Sequence, residues 1–381
     1  MISGDISQDR AVPPETWEFP VENGLIVARP DVPCLFSMNQ TASLIWRAYC
    51  ETASPNSAAD TLVETFGISR ELATKDVDAT VNNWANAGLL GRVESIALPQ
   101  WDGQHGEPCD AMYCSIEGTA FLLLTDCPAV SAELAPRLAG IRVAACKPGV
   151  TIAVWGMADD RFVIVADEEC IAIEKGVRPA RAVLFQELIR RARSGRDWLA
   201  LLHAGACGIG GRCVLFPASS YSGKSTLAAA LMASGFALYS DDFTGIEADS
   251  LQIPAMPFAI AARRGSWDVL RPWIPDIDDS PALESYGEQV KFLPVPHADG
   301  LAAGDAVAIV FTQWAAHVEV SERTLSTADV IARLSGSGFW VRHDRASIGA
   351  FIAWLDRLPK STLEYGELTD AIARVSALAK S

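Results

Sequence analysis

Apolar positions change their spacing twice along the chain, and the changes divide it into three stretches. In the first, about residues 23–95, a run at Leu25, Ile26 and Val27 predicts a strand, after which the spacing turns helical. Asn39 is placed to cap a helix carrying Ala42, Ile45, Trp46 and Tyr49, and Ser54 with Pro55 opens a second that Gly67 ends. A third helix starts near Ser69 and sets Leu72, Val77, Val81, Trp84 and Leu89 three to five residues apart, so that one stripe faces a core. Residues 89–93 predict a short strand after it. Three helices with small strands in so short a stretch predict a small winged-helix-like α+β domain, preceded by a tail at residues 1–22.

The second stretch, residues 96–178, carries strand-like runs at 120–124, 151–155, 162–166 and 170–173. Turn residues such as Lys147, Pro148 and Gly149, or Ala158, Asp159 and Asp160, part some of them, which is the pattern of an antiparallel sheet. Asp126, Asp159 and Asp160 read as turn residues, and no catalytic grouping appears. A helix is predicted from Pro179 through Leu201, with Val183, Leu184, Leu188 and Ile189 as its apolar stripe and Arg190, Arg191 and Arg193 on a solvated face. The third stretch, within a domain drawn at residues 179–378, carries the chemistry.

Composition narrows the partners. The chain has 381 residues, 50% hydrophobic and 20% charged, enough for two or three domains at roughly 150 residues each. Lys plus Arg is 31 and Asp plus Glu is 47, so 31 − 47 = −16, which argues against a general affinity for nucleic acid or an anionic membrane. Residues 31–95 hold four basic against eight acidic residues, so the winged-helix-like domain has no phosphate-tracking face and a peptide is its more plausible partner. No apolar run reaches the roughly 18 residues of a membrane span, and Asp5, Asp9, Glu15 and Glu18 replace the basic start of a signal peptide, so a cytoplasmic location is expected. The nine cysteines lack CxxC spacing and read as reduced core thiols.

The most informative segment runs from Gly210 to Met232. Residues 213–216 predict a short buried strand and residues 224–233 an alanine-rich helix that Gly235 terminates. A loop between a strand and a helix start aims backbone N–H groups and the positive helix end at one spot, as a polyphosphate requires. Ser219, Ser220, Tyr221, Ser222, Gly223, Lys224, Ser225 and Thr226 would line it, with Lys224 reaching the β and γ phosphates and the Ser225 hydroxyl on Mg²⁺. A second apolar strand at 236–239 delivers Asp241 and Asp242 to its C-terminal end, the ligand-binding edge of a parallel α/β sheet. One carboxylate can hold the metal while the other takes the proton of an attacking hydroxyl. Two positions depart from the usual loop: Ala218 and Tyr221 stand where glycines are common, and an Ala218 forced to positive φ would cost about 1 kcal/mol.

His203, Ala204 and Gly205, the 210–226 loop, and Asp241 and Asp242 after Gly235 and Phe236 together resemble the HPr kinase/phosphorylase family. The closer likeness is to the HPr-kinase-related proteins of peptide-modification clusters, carried by Pro254, Pro257, Arg263, Arg264, Gly265 and Ser266, and by Lys291 with Phe292, Leu293 and Pro294. That resemblance covers about residues 180–345. It implies an α/β P-loop kinase core of HPr-kinase type, preceded by the β-rich segment and the small winged-helix-like domain, with His203 steering an aspartate and Arg263 or Arg264 neutralising the transferred phosphate. His297, His317 and His343 read as structural or exposed. The first stretch is similar to PqqD-type domains through Met38, Asn39, Thr41, Ala42, Ile45 and Trp46, then Asp76 or Asp78 with Val77, Trp84, Leu89 and Leu90. Such domains bind leader peptides of ribosomally made, modified peptides as an added strand.

The expectation is therefore an ATP- and Mg²⁺-dependent kinase for a Ser or Thr hydroxyl of a peptide delivered by residues 23–95, with Asp241 as base and Asp242 and Ser225 on the metal, or the two aspartates exchanged. The alternatives are a kinase of a small free hydroxy compound and a silent leader-binding module with a spent loop.

Overall fold

The computed structural model describes residues 11–12, 15–91, 101–192, 197–218, 221–256, 258–285, 287–295 and 301–381. The chain divides into two compact units. The first takes the residues up to 96 together with Leu325–Gly336 and Arg342–Arg357.

In the first unit, β1 (Trp17–Val21), β2 (Gly24–Arg29) and β3 (Val32–Asn39) form an antiparallel sheet in that order. Three helices follow, α1 (Gln40–Thr52), α2 (Pro55–Phe66) and α3 (Arg70–Asn86). Each starts where the capping residues place it: Asn39 accepts from the Ala42 N–H at 2.9 Å, Ser54 from Ser57 at 3.4 Å and Ser69 from Leu72 at 3.3 Å. Gly67 ends α2 at φ 65°. Leu25, Val27 and Met38 meet Ile45, Trp46, Leu62, Val77 and Trp84 in one core, where the Trp46 and Trp84 rings stand edge to face at 5.4 Å. Leu72, expected in the stripe, is 46% exposed, and Ala73 is buried instead.

The strand expected at 89–93 is absent as far as the described residues run. Leu89 and Leu90 are buried in a turn whose carbonyls go to Arg29: the guanidinium, 3% exposed, donates to Gly88 O at 2.9 Å and Gly91 O at 2.8 Å, so these oxygens close a helix end instead of a ladder. Asp31 holds the other side of the guanidinium, accepting from Arg29 Nε at 2.8 Å.

The other face of this sheet is covered as well. Ile26 and Ala28 are fully buried although they point away from α1–α3. Helices Thr327–Ser337 and Arg345–Arg357 supply the missing layer: Ser37 Oγ donates to Ala328 O at 2.7 Å, and the Phe19 ring lies against Gly349. His343 Nε2 sits 2.6 Å from the Arg29 carbonyl, with its ring beside Trp17. The unit is thus assembled from distant pieces of chain, whereas the sequence pattern bounds it at residues 23–95.

The second unit opens with β4 (Asp110–Ile116), β5 (Thr119–Thr125), α4 (Pro128–Leu138), β6 (Val150–Gly156), β7 (Arg161–Ala166) and β8 (Glu169–Lys175). Their sheet has the order β4-β5-β6-β7-β8 and is antiparallel except for β5 and β6, a parallel pair that α4 connects. Neither β4 nor α4 is among the elements expected from the sequence. Helix α5 (Val177–Arg191) is shorter than the expected span of Pro179 through Leu201, and the last residues of that span, 198–201, lie in strand β9 (Trp198–Leu202). Arg190 and Arg191 pair with Glu187, and Arg191 also with Asp167.

Next come β10 (Ala204–Ile209), β11 (Arg212–Pro217), α6 (Lys224–Ala233), β12 (Ala237–Ser240), β13 (Thr244–Glu247), β14 (Gln252–Ile253), β15 (Ile260–Arg263) and α7 (Trp267–Leu270). After them lie β16 (Ala282–Ser285), β17 (Glu288–Leu293), β18 (Gly304–Trp314), β19 (Ser321–Thr324), β20 (Phe339–Val341), β21 (Lys360–Tyr365) and a helix Leu368–Lys380. The largest sheet has the order β12-β10-β11-β18-β21-β19. It is mixed, not parallel throughout: β11, β18 and β21 run parallel, and β10 lies antiparallel between β11 and β12. The C-terminal ends of β11, β12, β18 and β21 and the start of β10 therefore share one edge. Beneath it, Leu227–Leu231 of α6 are fully buried against Phe216, Leu363 and Val375. No described helix is long and apolar enough to cross a membrane.

Candidate functional site

The sequence-selected side chains that the structure describes around this edge come from strand ends, from the loop after β11 and from the first turn of α6. Pro217 ends β11 and Lys224 begins α6, with Gly223 between them at φ 90°. A Cβ on Gly223 would lie 3.0 Å from the Tyr365 hydroxyl and 3.1 Å from Trp314 Cβ, so only glycine fits there. The Trp314 N–H donates to Ser222 O at 3.0 Å and ties the loop to the end of β18. Ala218 is 5% exposed and is not among the left-handed residues, so the strain expected at that position is absent. It falls on Tyr221 at φ 69°, at a cost of about 1 kcal/mol. Ser219 and Ser220 lie outside the described residues.

The two aspartates occupy unlike surroundings. Asp242 Oδ1 accepts from Lys224 Nζ at 2.8 Å and lies 2.8 Å from His203 Nε2. His203 is fixed from behind, its Nδ1 being 2.9 Å from the Ser337 carbonyl and its ring near Phe243. Burial would raise the Asp242 carboxyl, but the Lys224 charge and the His203 hydrogen bond outweigh it and hold the group well below the ordinary aspartate value. Asp242 is still 44% exposed along its side chain, whereas Lys224 is 8% exposed. Asp241 is buried at 6%, and burial pushes its carboxyl up against the opposing pull of Lys224 and the Ser225 hydroxyl.

Three buried side-chain oxygens at this edge have no hydrogen-bond partner among the described residues: Ser222 Oγ, Asp241 Oδ1 and Thr312 Oγ1. Each such atom costs about 1–3 kcal/mol if nothing reaches it. They lie in the loop, after β12 and near the end of β18, around the start of α6, and a polar, cation-bearing ligand fits that donor and acceptor set. Among the described residues no three His, Cys, Asp or Glu side chains gather to hold a metal, so a cation here would draw its other oxygens from a ligand or water.

Arg263 ends β15 with its guanidinium 4.1 Å over the Tyr221 ring, and its Nε is 3.2 Å from Glu288. Arg264 is exposed beside Trp267. Lys291 is buried and donates to Ile277 O at 2.9 Å, away from the loop. His343 belongs to the first unit, His317 sits in a turn at φ 61°, and His297 lies outside the described residues. Sequence reasoning missed Glu288, Thr312, Trp314 and the Ser337 carbonyl. Each reaches the site from far along the chain, with no local pattern to announce it.

Comparison with known proteins bears on the first unit. Residues 24–90 match the family model described as Coenzyme PQQ synthesis protein D (PqqD). They form a PqqD-like peptide-recognition domain. The match runs from β2 to the turn that Arg29 closes and leaves out β1 and the two late helices. A search among curated proteins finds no match to the chain.

Proposed function

We propose that the second unit is an ATP- and Mg²⁺-dependent kinase of HPr-kinase type, and that it phosphorylates a Ser or Thr hydroxyl of a ribosomally made precursor peptide held by the PqqD-like domain. The observation that carries this reading is the meeting of Lys224, Asp241, Asp242 and His203 at one sheet edge with three unpartnered buried oxygens. Lys224 and the backbone of residues 222–226 would hold the nucleotide phosphates at the start of α6. Ser225 and Asp241 would hold Mg²⁺, which would offset charge on the transferred group.

The surroundings favour the exchanged roles for the aspartates. Asp241 is buried, touches Ser225 and has an unpaired oxygen, as suits a cation ligand. Asp242 is reachable from solvent, ionised, and oriented by His203, as suits the group that takes the acceptor hydroxyl's proton. The precursor would add a strand to the β1-β2-β3 sheet, which has β1 and β3 as its edges.

Incubating the full chain with Mg-ATP and a candidate precursor peptide that carries Ser and Thr tests this by mass spectrometry. Wild type should add one phosphate. Asp242→Asn should cut that by orders of magnitude while leaving Mg-ATP binding within about threefold, and Asp241→Asn should raise the Mg²⁺ requirement. Full transfer by both variants would overturn the mechanism. Peptide binding without nucleotide binding would instead favour a silent leader-binding module.

A further inference from the structure

Tyr221 occupies a left-handed position that glycine would take without strain, yet its side chain is engaged at both ends. Its hydroxyl donates to Glu288 Oε1 at 2.6 Å, and its ring carries the Arg263 guanidinium at 4.1 Å. The other Glu288 oxygen lies 3.2 Å from Arg263 Nε in an ion pair, so one carboxylate contacts both the tyrosine and the arginine. Neighbouring strands support the pair, because Arg263 lies opposite Val290 in the β15–β17 ladder and Glu288 starts β17.

We propose that Tyr221 and Glu288 are positioning residues that hold Arg263 ready for the terminal phosphate of a nucleoside triphosphate. This rests on the nucleotide reading above. With one ring face and Nε engaged, the guanidinium keeps its two Nη nitrogens, which have no partner among the described residues, on a side chain 39% exposed. That pair is the planar fork that binds phosphate through two hydrogen bonds. The guanidinium stands over the ring of Tyr221, a loop residue three positions before Lys224. A glycine at 221 would relax the backbone but leave Arg263 without its stacking surface. The tyrosine accepts strain and fixes the arginine, so the departure from the usual loop is a gain of a phosphate ligand.

Calorimetric titration of the full chain with Mg-ATP and with Mg-ADP separates a hold on the terminal phosphate from general loop damage. Tyr221→Gly should weaken Mg-ATP about tenfold and leave Mg-ADP within about twofold, and Arg263→Lys should do the same because lysine lacks the fork. Tyr221→Phe, which keeps the ring and loses only the Glu288 bond, should lie between wild type and Tyr221→Gly. The double variant Tyr221→Gly with Arg263→Lys should be no worse than either alone, since both remove one interaction. Equal losses for both nucleotides, or undiminished Mg-ATP binding by Tyr221→Gly, would overturn the proposal and leave the kinase reading standing. A wild-type chain that binds neither nucleotide would overturn both.

Discussion

The helical layer of the first unit and the loop edge of the second treat their polar groups in opposite ways. Around α1–α3, Arg29 satisfies the carbonyls behind α3, the Trp46 indole donates to Glu18 at 2.7 Å, and each helix start has its cap. None of the described buried side-chain atoms lacking a partner lies in that unit. At the loop edge, three buried oxygens lack partners, the Asp241 carboxyl is pushed up by burial, and Tyr221 holds a left-handed backbone. Folding alone would select against such an edge. Unpaired buried side-chain groups collect at the loop edge, whereas the helical layer of the first unit holds none among its described residues.

The comparison would break first on the completeness of the first unit. Residues 11–91 expressed alone lack the helices that cover Ile26 and Ala28, so the fragment should bind a hydrophobic dye and melt broadly, with a loss of several kcal/mol on the scale of exposing a sheet face. A sharp melt at the temperature of the same unit within the full chain would show that the late helices add nothing.

The two aspartates sharpen the contrast within the second unit. In ligand-free protein, Asp242→Asn removes the negative charge that Lys224 and His203 share and weakens both contacts, so it should destabilise by about 1–2 kcal/mol. Asp241→Asn removes a buried carboxylate whose ionisation burial opposes, and it should raise the melting temperature. The pH dependence has a definite sign. A lowered folded value makes Asp242 stabilising above the ordinary aspartate value of 3.8, a contribution lost as pH falls through the lowered value. A raised value makes Asp241 destabilising as pH rises from 3.8 through its folded value. Both differences from wild type should therefore be largest near neutrality and vanish in acid, with opposite signs; equal signs in denaturant titrations would refute the assignment of surroundings.

The smallest effect concerns Ala218. Because its backbone is not left-handed, Ala218→Gly should bring no gain in nucleotide affinity and should cost about 0.5–1 kcal/mol in unfolded-chain entropy, read from a chemical melt. A clear affinity gain would return the loop's strain to that position.

What the sequence makes legible follows the range of each interaction. The starts of α1, α2, α3 and α6 are readable because a cap, a proline or a glycine acts within four residues. Lys224, Asp241, Asp242 and His203 are readable as types flanking strands and a helix. Strand β4 escapes although Met112, Cys114 and Ile116 alternate inward, since Cys114 reads as a thiol before it reads as an inward position, and Pro136 within α4 hides that helix. The sheet-covering helices and the ties of Tyr221 to Glu288 and of His203 to Ser337 join residues far apart, and no local spacing encodes them.

Titration of the full chain with Mg-ATP, beside Lys224→Ala, tests the central claim most directly. Wild type should bind with a single site and Lys224→Ala should lose at least about a hundredfold in affinity, because a buried ammonium opposite the phosphates is replaced by a methyl group. Binding that survives Lys224→Ala unchanged, or a wild-type chain that binds no nucleoside triphosphate, would contradict the account.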